Sequence, residues 1–251
     1  MTTKLSIITI CKNCAANLDK TLRSIVCQDY NGPTELIVID GGSTDNTISI
    51  INKYSSKITR WISEPDKGVY DAMNKGISIS SGDWLCFMNA GDTFASPHSV
   101  SQSFHTSLLS NSVTSNTQVI YGDYIASFSN QQKLIKALPI KTLHWHMSFC
   151  HQSSFIKNRP DLHFDDSMKI AADYEVFRDL LKRYGESCFV YTDCPVAVFD
   201  MTGASNNNIV KQRQEYLTIY KNYNPHNLHY WTFWLVTKLH FNFRFGIANK
   251  I

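Results

Sequence analysis

The sequence predicts an α/β fold, a mostly parallel sheet flanked by helices, with a C-terminal helical, amphipathic appendage. Three observations point there. The first hundred residues alternate short apolar runs with amphipathic segments, the pattern of right-handed βαβ units. Two of the apolar runs, residues 35–39 and 85–88, empty into small polar turns that carry Asp40 and Asp92. Neither an internal repeat nor a low-complexity tract interrupts the pattern.

Each element follows from local chemistry. Residues 5–10 form an apolar run of strand length. Residues 18–26 have helical spacing, with Leu18, Leu22, Ile25 and Val26 on one face. Residues 36–39 make the second strand. Ser43 or Thr44 is expected to cap the next helix, whose apolar residues are Ile48, Ile50 and Ile51. A third strand lies near residues 58–62, a helix over 70–80, and a fourth strand over 83–88 after the Ser81-Gly82 break. The Ser/Asn/Thr-rich stretch 96–117 predicts a helix and an exposed connection. Residues 119–128 and 196–199 read as strands. Residues 171–184 read as a helix, with Val176, Leu180, Leu181 and Tyr184 at three- and four-residue spacing. Residues 1–205 are expected to form one domain, and 206–251 the appendage.

Composition narrows the function. With 251 residues, 43% of them hydrophobic, the chain can bury one substantial core. A net charge of +3 with 18% charged residues does not suit a nucleic-acid binder, which needs a basic face. Seven scattered cysteines include one close pair, Cys11 and Cys14, with neither a second pair nor a histidine at zinc spacing, so they read as reduced structural thiols. The N-terminus runs straight into a strand without an apolar leader, and no run of about eighteen apolar residues occurs. A cytoplasmic protein is expected. Residues 206–251 hold six Lys/Arg, one acidic residue, Glu215, and ten aromatics. Such a tail suits the interfacial zone of a membrane. The alternative is that its rings pack on the core or on a second subunit of a homo-oligomer.

Parallel strands present their carboxyl ends on one edge, so Thr9, Asp40 and Asp92 are expected to face one crevice. One carboxylate there can accept the imide N–H of uracil, and another can hold a divalent metal against a diphosphate. Neither a P-loop lysine motif nor Gly-x-Gly-x-x-Gly is present to receive the phosphates, and a metal on Asp92 supplies the missing positive charge. The plainer readings are that Asp40 starts a turn before Gly41-Gly42 and that Asp92 is a turn or capping residue.

The ordered segments Thr9-Ile10-Cys11-Lys12-Asn13, Val38-Ile39-Asp40-Gly41-Gly42-Ser43-Thr44-Asp45, Asp66-Lys67-Gly68-Val69-Tyr70-Asp71-Ala72-Met73-Asn74, Gly82-Asp83-Trp84 and Met88-Asn89-Ala90-Gly91-Asp92 resemble the motifs of family 2 glycosyltransferases. The resemblance covers about residues 4–200. It implies a Rossmann-like GT-A fold, a nucleotide-sugar donor, a Mn²⁺ or Mg²⁺ cofactor and inversion at the anomeric carbon. By that resemblance Asp40 holds the uracil, and Thr9, Cys11, Asn13 and Gly42 belong to the base and ribose pocket. Asn89, Ala90, Gly91 and Asp92 stand at the Asp-x-Asp position, with asparagine replacing the first carboxylate and Asp92 left as the metal ligand. Lys67 is expected to reach a phosphate and Asp71 the base or sugar hydroxyls, unless the two form a local pair and cap. The family's Ala-Arg-Asn is Ala72-Met73-Asn74 here, which removes an arginine contact.

Asp173 matches the catalytic aspartate of the family's Glu-Asp motif, with Ala172 in place of the glutamate. As a lone base it suits inversion, because Glu175 lies on another helical face. His151 and Gln152 resemble the His-Gln segment between donor and acceptor, and Gly203-Ala204-Ser205 resembles the turn that closes the core. The Asp-Lys-Gly-Val-Tyr-Asp variant resembles bacterial enzymes of O-antigen, capsule and exopolysaccharide assembly. The expected donor is therefore a UDP-hexose or UDP-N-acetylhexosamine, and the expected acceptor a polyprenyl-diphosphate-linked saccharide. That acceptor implies a peripheral position on the inner face of the cytoplasmic membrane. Two rivals stand. A nucleotidyltransferase is disfavoured by the missing Gly-rich basic loop after Ile10. A catalytically inactive nucleotide-sugar or partner-binding module is suggested by Asn89 and Ala172.

Overall fold

Three consecutive βαβ units build the first half of the molecule. The computed structural model describes residues 3–109, 113–129, 131–201 and 208–223. Strand β1 (Leu5–Cys11) leads through α1 (Ala15–Val26) to β2 (Thr34–Asp40), then through α2 (Thr47–Lys53) to β3 (Arg60–Ser63). Helix α3 (Val69–Ile79) returns the chain to β4 (Trp84–Phe87) beside β1. Every pairing among these four strands is parallel, and Cys11 lies level with Asp40 at the carboxyl edge. The runs of Ile, Leu and Val in β1 and β2 are buried on both faces, as a sheet covered by helices on either side requires.

Beyond β4 the sheet becomes mixed. The short β5 (Thr93–Phe94) precedes α4 (Ser99–Leu109), and the long β6 (Val119–Phe128) follows. It pairs antiparallel with β7 (Gln131–Ile135) and β8 (Ser154–Lys157), and parallel with β9 (Phe189–Asp200). The described sheet has nine strands, running β3-β2-β1-β4-β8-β6-β9-β5 with β7 attached to β6. Helix α5 (Ala172–Tyr184) follows β8, and α6 (Ile209–Tyr223) follows β9. Two apolar clusters flank the sheet. One gathers Phe87, Phe164, Phe177 and Tyr174, and the other gathers Leu18, Leu22, Phe104 and Phe155.

The expected α/β class and the main elements are present, with three additions. Strands β5, β7 and β8 were not expected. β5 has two residues, β8 has four and opens with serine, and Gln131-Gln132-Lys133 makes β7 mostly exposed. The cap expected for α2 is also corrected. Neither Ser43 nor Thr44 caps it; instead Asp45 Oδ1 accepts the Thr47 N–H at 2.9 Å, while the Ser43 hydroxyl is turned onto Asp40.

The described part of the C-terminal segment packs on the core. Ile219 and Tyr220 of α6 are buried, and the Tyr216 ring stacks on Tyr174 with centroids 4.5 Å apart. Arg178 lies over the ring of Tyr223 at 5.1 Å. The expected turn Gly203-Ala204-Ser205 and the tail aromatics from Tyr230 onward lie outside the described residues. Among the described residues no helix is long and apolar enough to cross a membrane.

Candidate active site

The carboxyl edge of the parallel strands opens into a cleft of about 890 Å³. Of the residues expected at the site, Cys11, Asn89, Ala90, Asp92, His151, Gln152 and Asp173 line it together. They arrive from the ends of β1 and β4, from the turn before β8 and from the first turn of α5, so segments far apart in sequence converge on one space.

On one wall the turn 89–92 is shaped by Gly91, whose φ of 110° lies in the left-handed region where glycine is favoured. Helix α1 holds this turn from below. The Thr21 hydroxyl donates to the Asp92 carbonyl at 2.6 Å and accepts the Gly91 N–H at 3.0 Å. Lys20 adds a bond to the Gly91 carbonyl at 3.3 Å. The Asp92 side chain is 5% exposed and accepts the backbone N–H of Asp200 at 2.9 Å. Burial, reinforced by the neighbouring Asp200 charge, pushes its carboxyl up to about 7. Asp200, at the end of β9, lines the same wall and was not expected there. The buried Oδ1 of Asn89 has no hydrogen-bond partner. A buried carboxylate beside a second carboxylate and an orphaned amide oxygen is a donor set that fits a hard divalent cation. Among the described residues no group of three or more His, Cys, Asp or Glu clusters as a metal site, so Asp92, Asp200 and Asn89 would be the protein's oxygens for such an ion.

The opposite wall carries Asp173. Its Oδ1 accepts the Tyr70 hydroxyl at 3.2 Å and the Tyr174 N–H at 2.9 Å, and its Oδ2 lies 3.8 Å from His151 Nδ1. Burial is the main cause that raises the Asp173 carboxyl to about 6, a suitable range for a general base near neutrality. His151 sits among the rings of Phe87, Phe164 and Phe177, and burial lowers it to about 3. It is therefore neutral and presents no cation, and its Nε2 has no partner. Gln152 Oε1 accepts the Cys150 thiol at 3.1 Å. Lys169, Lys211 and Arg213 bring positive charge to the cleft lining.

Thr9, Asn13, Asp40, Gly42, Lys67 and Asp71 are not among the residues that line the cleft. Asp40 has no exposed surface. Its carboxylate accepts the N–H groups of Gly42 (3.2 Å) and Ser43 (2.9 Å) and the hydroxyls of Ser63 (2.7 Å) and Ser43. Three of these bonds fall on Oδ2 and one on Oδ1, where the Cys11 thiol also lies at 3.8 Å, so the carboxylate organises the loop after β2. They also hold its carboxyl below the usual range although burial pushes the other way. Thr9 is buried within β1, its hydroxyl without a partner. Asn13, at φ 48°, accepts the Thr44 N–H at 2.8 Å and donates its own N–H to Ser43 at 2.7 Å, lacing the loops after β1 and β2. Gly42, at φ 78°, makes the turn that Asp40 holds. Asp71 accepts the Lys67 N–H at 3.0 Å and pairs with Lys75 at 3.5 Å, which makes a local cap, and Lys67 does not line the cleft. The acidic lining on that side is Asp66. Tyr70 and Asp200 were not expected in the lining, and Asp66 read as a turn or capping residue. Tyr70 and Asp66 carried a signal, because both stand within the quoted motif, Tyr70 as the second residue of α3.

The architecture places this protein in the class of α/β folds with a nucleotide-type crevice at the carboxyl edge of a parallel half-sheet. Within that class, the chain belongs to glycosyl transferase family 2, whose family model matches residues 6–162. It is 44% identical over 98 residues to an uncharacterized glycosyltransferase of Mycobacterium tuberculosis, covering 39% of this chain and 37% of that protein. It is 32% identical over 155 residues to a PGL/p-HBAD biosynthesis glycosyltransferase of Mycobacterium bovis, covering 61% of this chain and 58% of that protein. The chain thus spans 37% and 58% of the length of these curated relatives.

Solved structures show the GT-A fold. Staphylococcus aureus TarS 1-349 in complex with UDP-GlcNAc superposes with a TM-score of 0.62 at 16% identity, over 78% of this chain and 58% of that one. Glucosyl-3-phosphoglycerate synthase from M. tuberculosis, crystallised with Mn²⁺ and UDP-glucose, gives a TM-score of 0.57 at 14% identity, over 85% and 79%.

Proposed function

We propose that this protein is an inverting glycosyltransferase that moves a hexosyl unit from a nucleoside-diphosphate sugar to a hydroxyl of a phosphate-bearing, lipid-linked saccharide. The observation that carries the reading is the convergence of Asp173 and the Asn89–Asp92 turn on one cleft. UDP is the favoured nucleotide, in line with the UDP-sugars bound by structures of the same fold. Donors of the class UDP-hexose or UDP-N-acetylhexosamine fit this reading. Surface polysaccharide assembly is the favoured setting. A polyprenyl-diphosphate acceptor would bring the chain to the inner face of the cytoplasmic membrane as a peripheral protein.

Asp173 Oδ1 is fixed by Tyr70 and Tyr174, which leaves Oδ2 as the atom that takes the acceptor proton. As that proton leaves, the hydroxyl oxygen forms a bond to the anomeric carbon and the bond to the nucleoside diphosphate breaks with its electron pair. One displacement inverts the centre. Retention would require a nucleophilic carboxylate at the same place, and Glu175 does not line the cleft. Asp92, with Asp200 and Asn89, would hold Mn²⁺ or Mg²⁺, which when bound offsets the charge that grows on the leaving diphosphate. Lys169, Lys211 and Arg213 suit an anionic acceptor.

The alternative is an inactive nucleotide-sugar or partner-binding module, motivated by Asn89 and Ala172. A panel of UDP- and GDP-sugars assayed for Mn²⁺-dependent hydrolysis and transfer, on native protein and on Asp173→Asn, decides between them. Nucleotide binding with abolished transfer in the variant supports catalysis. Binding without turnover in the native protein, for every sugar, supports the module.

A further inference from the structure

We propose that Glu215 of α6 is a positioning residue for Asp173: its carboxylate pins the turn from which the base projects. This rests on Asp173 being the base. Helix α5 begins after Ala171, and no side chain of its own caps it. The cap arrives instead from 44 to 46 residues further along the chain. Glu215 Oε1 accepts the Lys169 N–H at 2.8 Å, and Oε2 accepts those of Ile170 at 2.8 Å and Ala171 at 2.9 Å. Three consecutive amides gathered by one carboxylate fix the local backbone, and Asp173 follows two residues later. The clasp is doubled by rings, because Tyr174, next to Asp173, stacks on Tyr216, next to Glu215.

A plain structural cap would stabilise the helix and stop there. Two features set this one apart. First, the pinned turn forms the cleft wall: Lys169, Ile170 and Asp173 all line it, as does Tyr216. Displacing the turn therefore moves the base relative to the acceptor hydroxyl, and misplacements near 1 Å are enough to cost about a hundredfold in rate. Second, the Glu215 charge acts on Asp173 and adds to burial in raising its carboxyl. The other titratable groups against Asp173 are Tyr70 from α3, hydrogen-bonded to it, and the neutral His151 from the turn before β8.

The test uses the full chain with Glu215→Ala and Glu215→Gln, reading kcat, donor KM, melting temperature and the pH dependence of kcat. For Glu215→Ala the expected result is a kcat about tenfold or more below native, with donor KM within about twofold. Glu215→Gln keeps one acceptor oxygen, enough for the Ile170 and Ala171 N–H groups but not for that of Lys169, so part of kcat should return. Removing the negative charge should also move the acid limb of its pH profile to lower pH. Native kcat in Glu215→Ala, or a loss confined to donor KM, overturns the proposal. Should the alanine variant fail to fold, Glu215→Gln decides: an unmoved acid limb overturns the proposal and a shifted one supports it. Asp173→Asn is measured in parallel. If it keeps transfer, the reading of Asp173 itself falls, whereas an inactive Asp173→Asn beside a fully active Glu215→Ala sinks only the role of Glu215.

Discussion

At the scale of single residues, the proposed chemistry turns on how Asp173 is held, as the base of that proposal. Replacing it with asparagine keeps the shape and removes the proton acceptor, so kcat should fall by roughly 10²–10⁴ while UDP affinity stays at its native value in calorimetry. The base must be ionised to act, and its carboxyl sits at about 6, so activity should fall as pH drops through about 6. The Tyr70 hydroxyl stabilises the ionised form. Its removal in Tyr70→Phe should therefore move the acid limb to higher pH, the direction opposite to Glu215→Gln. A kcat profile that stays in place in Tyr70→Phe would remove the phenol from this role. That Asp173, Asp92 and His151 share one cleft was legible in the sequence because each stands in an ordered set of motifs. The hydrogen-bond network around Asp40 was not. Its four donors come from Gly42, Ser43 and Ser63, and nothing in sequence reveals that Ser63, 23 residues on, ends the neighbouring strand with its hydroxyl on that carboxylate.

At the scale of elements, α1 sets the turn that would bear the metal. Thr21 both donates to Asp92 and accepts from Gly91, so Thr21→Val removes two hydrogen bonds beneath the turn and leaves the volume of the side chain unchanged. A buried polar group left without its partner costs about 1–3 kcal/mol. If half of that cost falls on the bound state, affinity for UDP-sugar with Mn²⁺ should weaken by roughly two- to tenfold, where tenfold corresponds to about 1.4 kcal/mol. Calorimetry on Thr21→Val checks this, and an unchanged Kd would mean that the turn holds itself. The same element shows where sequence patterns suffice. Helices α1, α3 and α5 announce themselves by apolar spacing, because each buries one stripe against the sheet. Strands β5, β7 and β8 of the second half are silent because they are short or polar, and their pairing is decided by neighbours far away in the chain. β8, for example, is defined by β4 on one side and β6 on the other.

At the scale of the whole molecule, the C-terminal segment holds helix α6 and, beyond it, a basic-aromatic stretch whose proposed task is membrane contact. Helix α6 is integral to the core through Ile219, Tyr220 and the Tyr174–Tyr216 stack, and it delivers Glu215 to the turn before Asp173. Ending the chain at Asn206 would strip the core and the active-site turn together, so loss of activity in that variant would say nothing about membranes. Ending it after Tyr223 separates the two. Residues 224–251 carry seven aromatics, three Lys/Arg and no acidic side chain. Each basic residue near an anionic surface contributes about 1 kcal/mol, so three together correspond to roughly a hundredfold in vesicle affinity. The chain ending at Tyr223 should therefore keep donor hydrolysis near the native rate. Its co-sedimentation with phosphatidylglycerol vesicles should weaken about a hundredfold, and the native protein's binding should fall as salt rises. Native vesicle binding in the shortened chain would assign membrane contact to the basic residues of α6 instead. Absence of vesicle binding in the full chain would return the tail aromatics to packing within the protein or between copies of it.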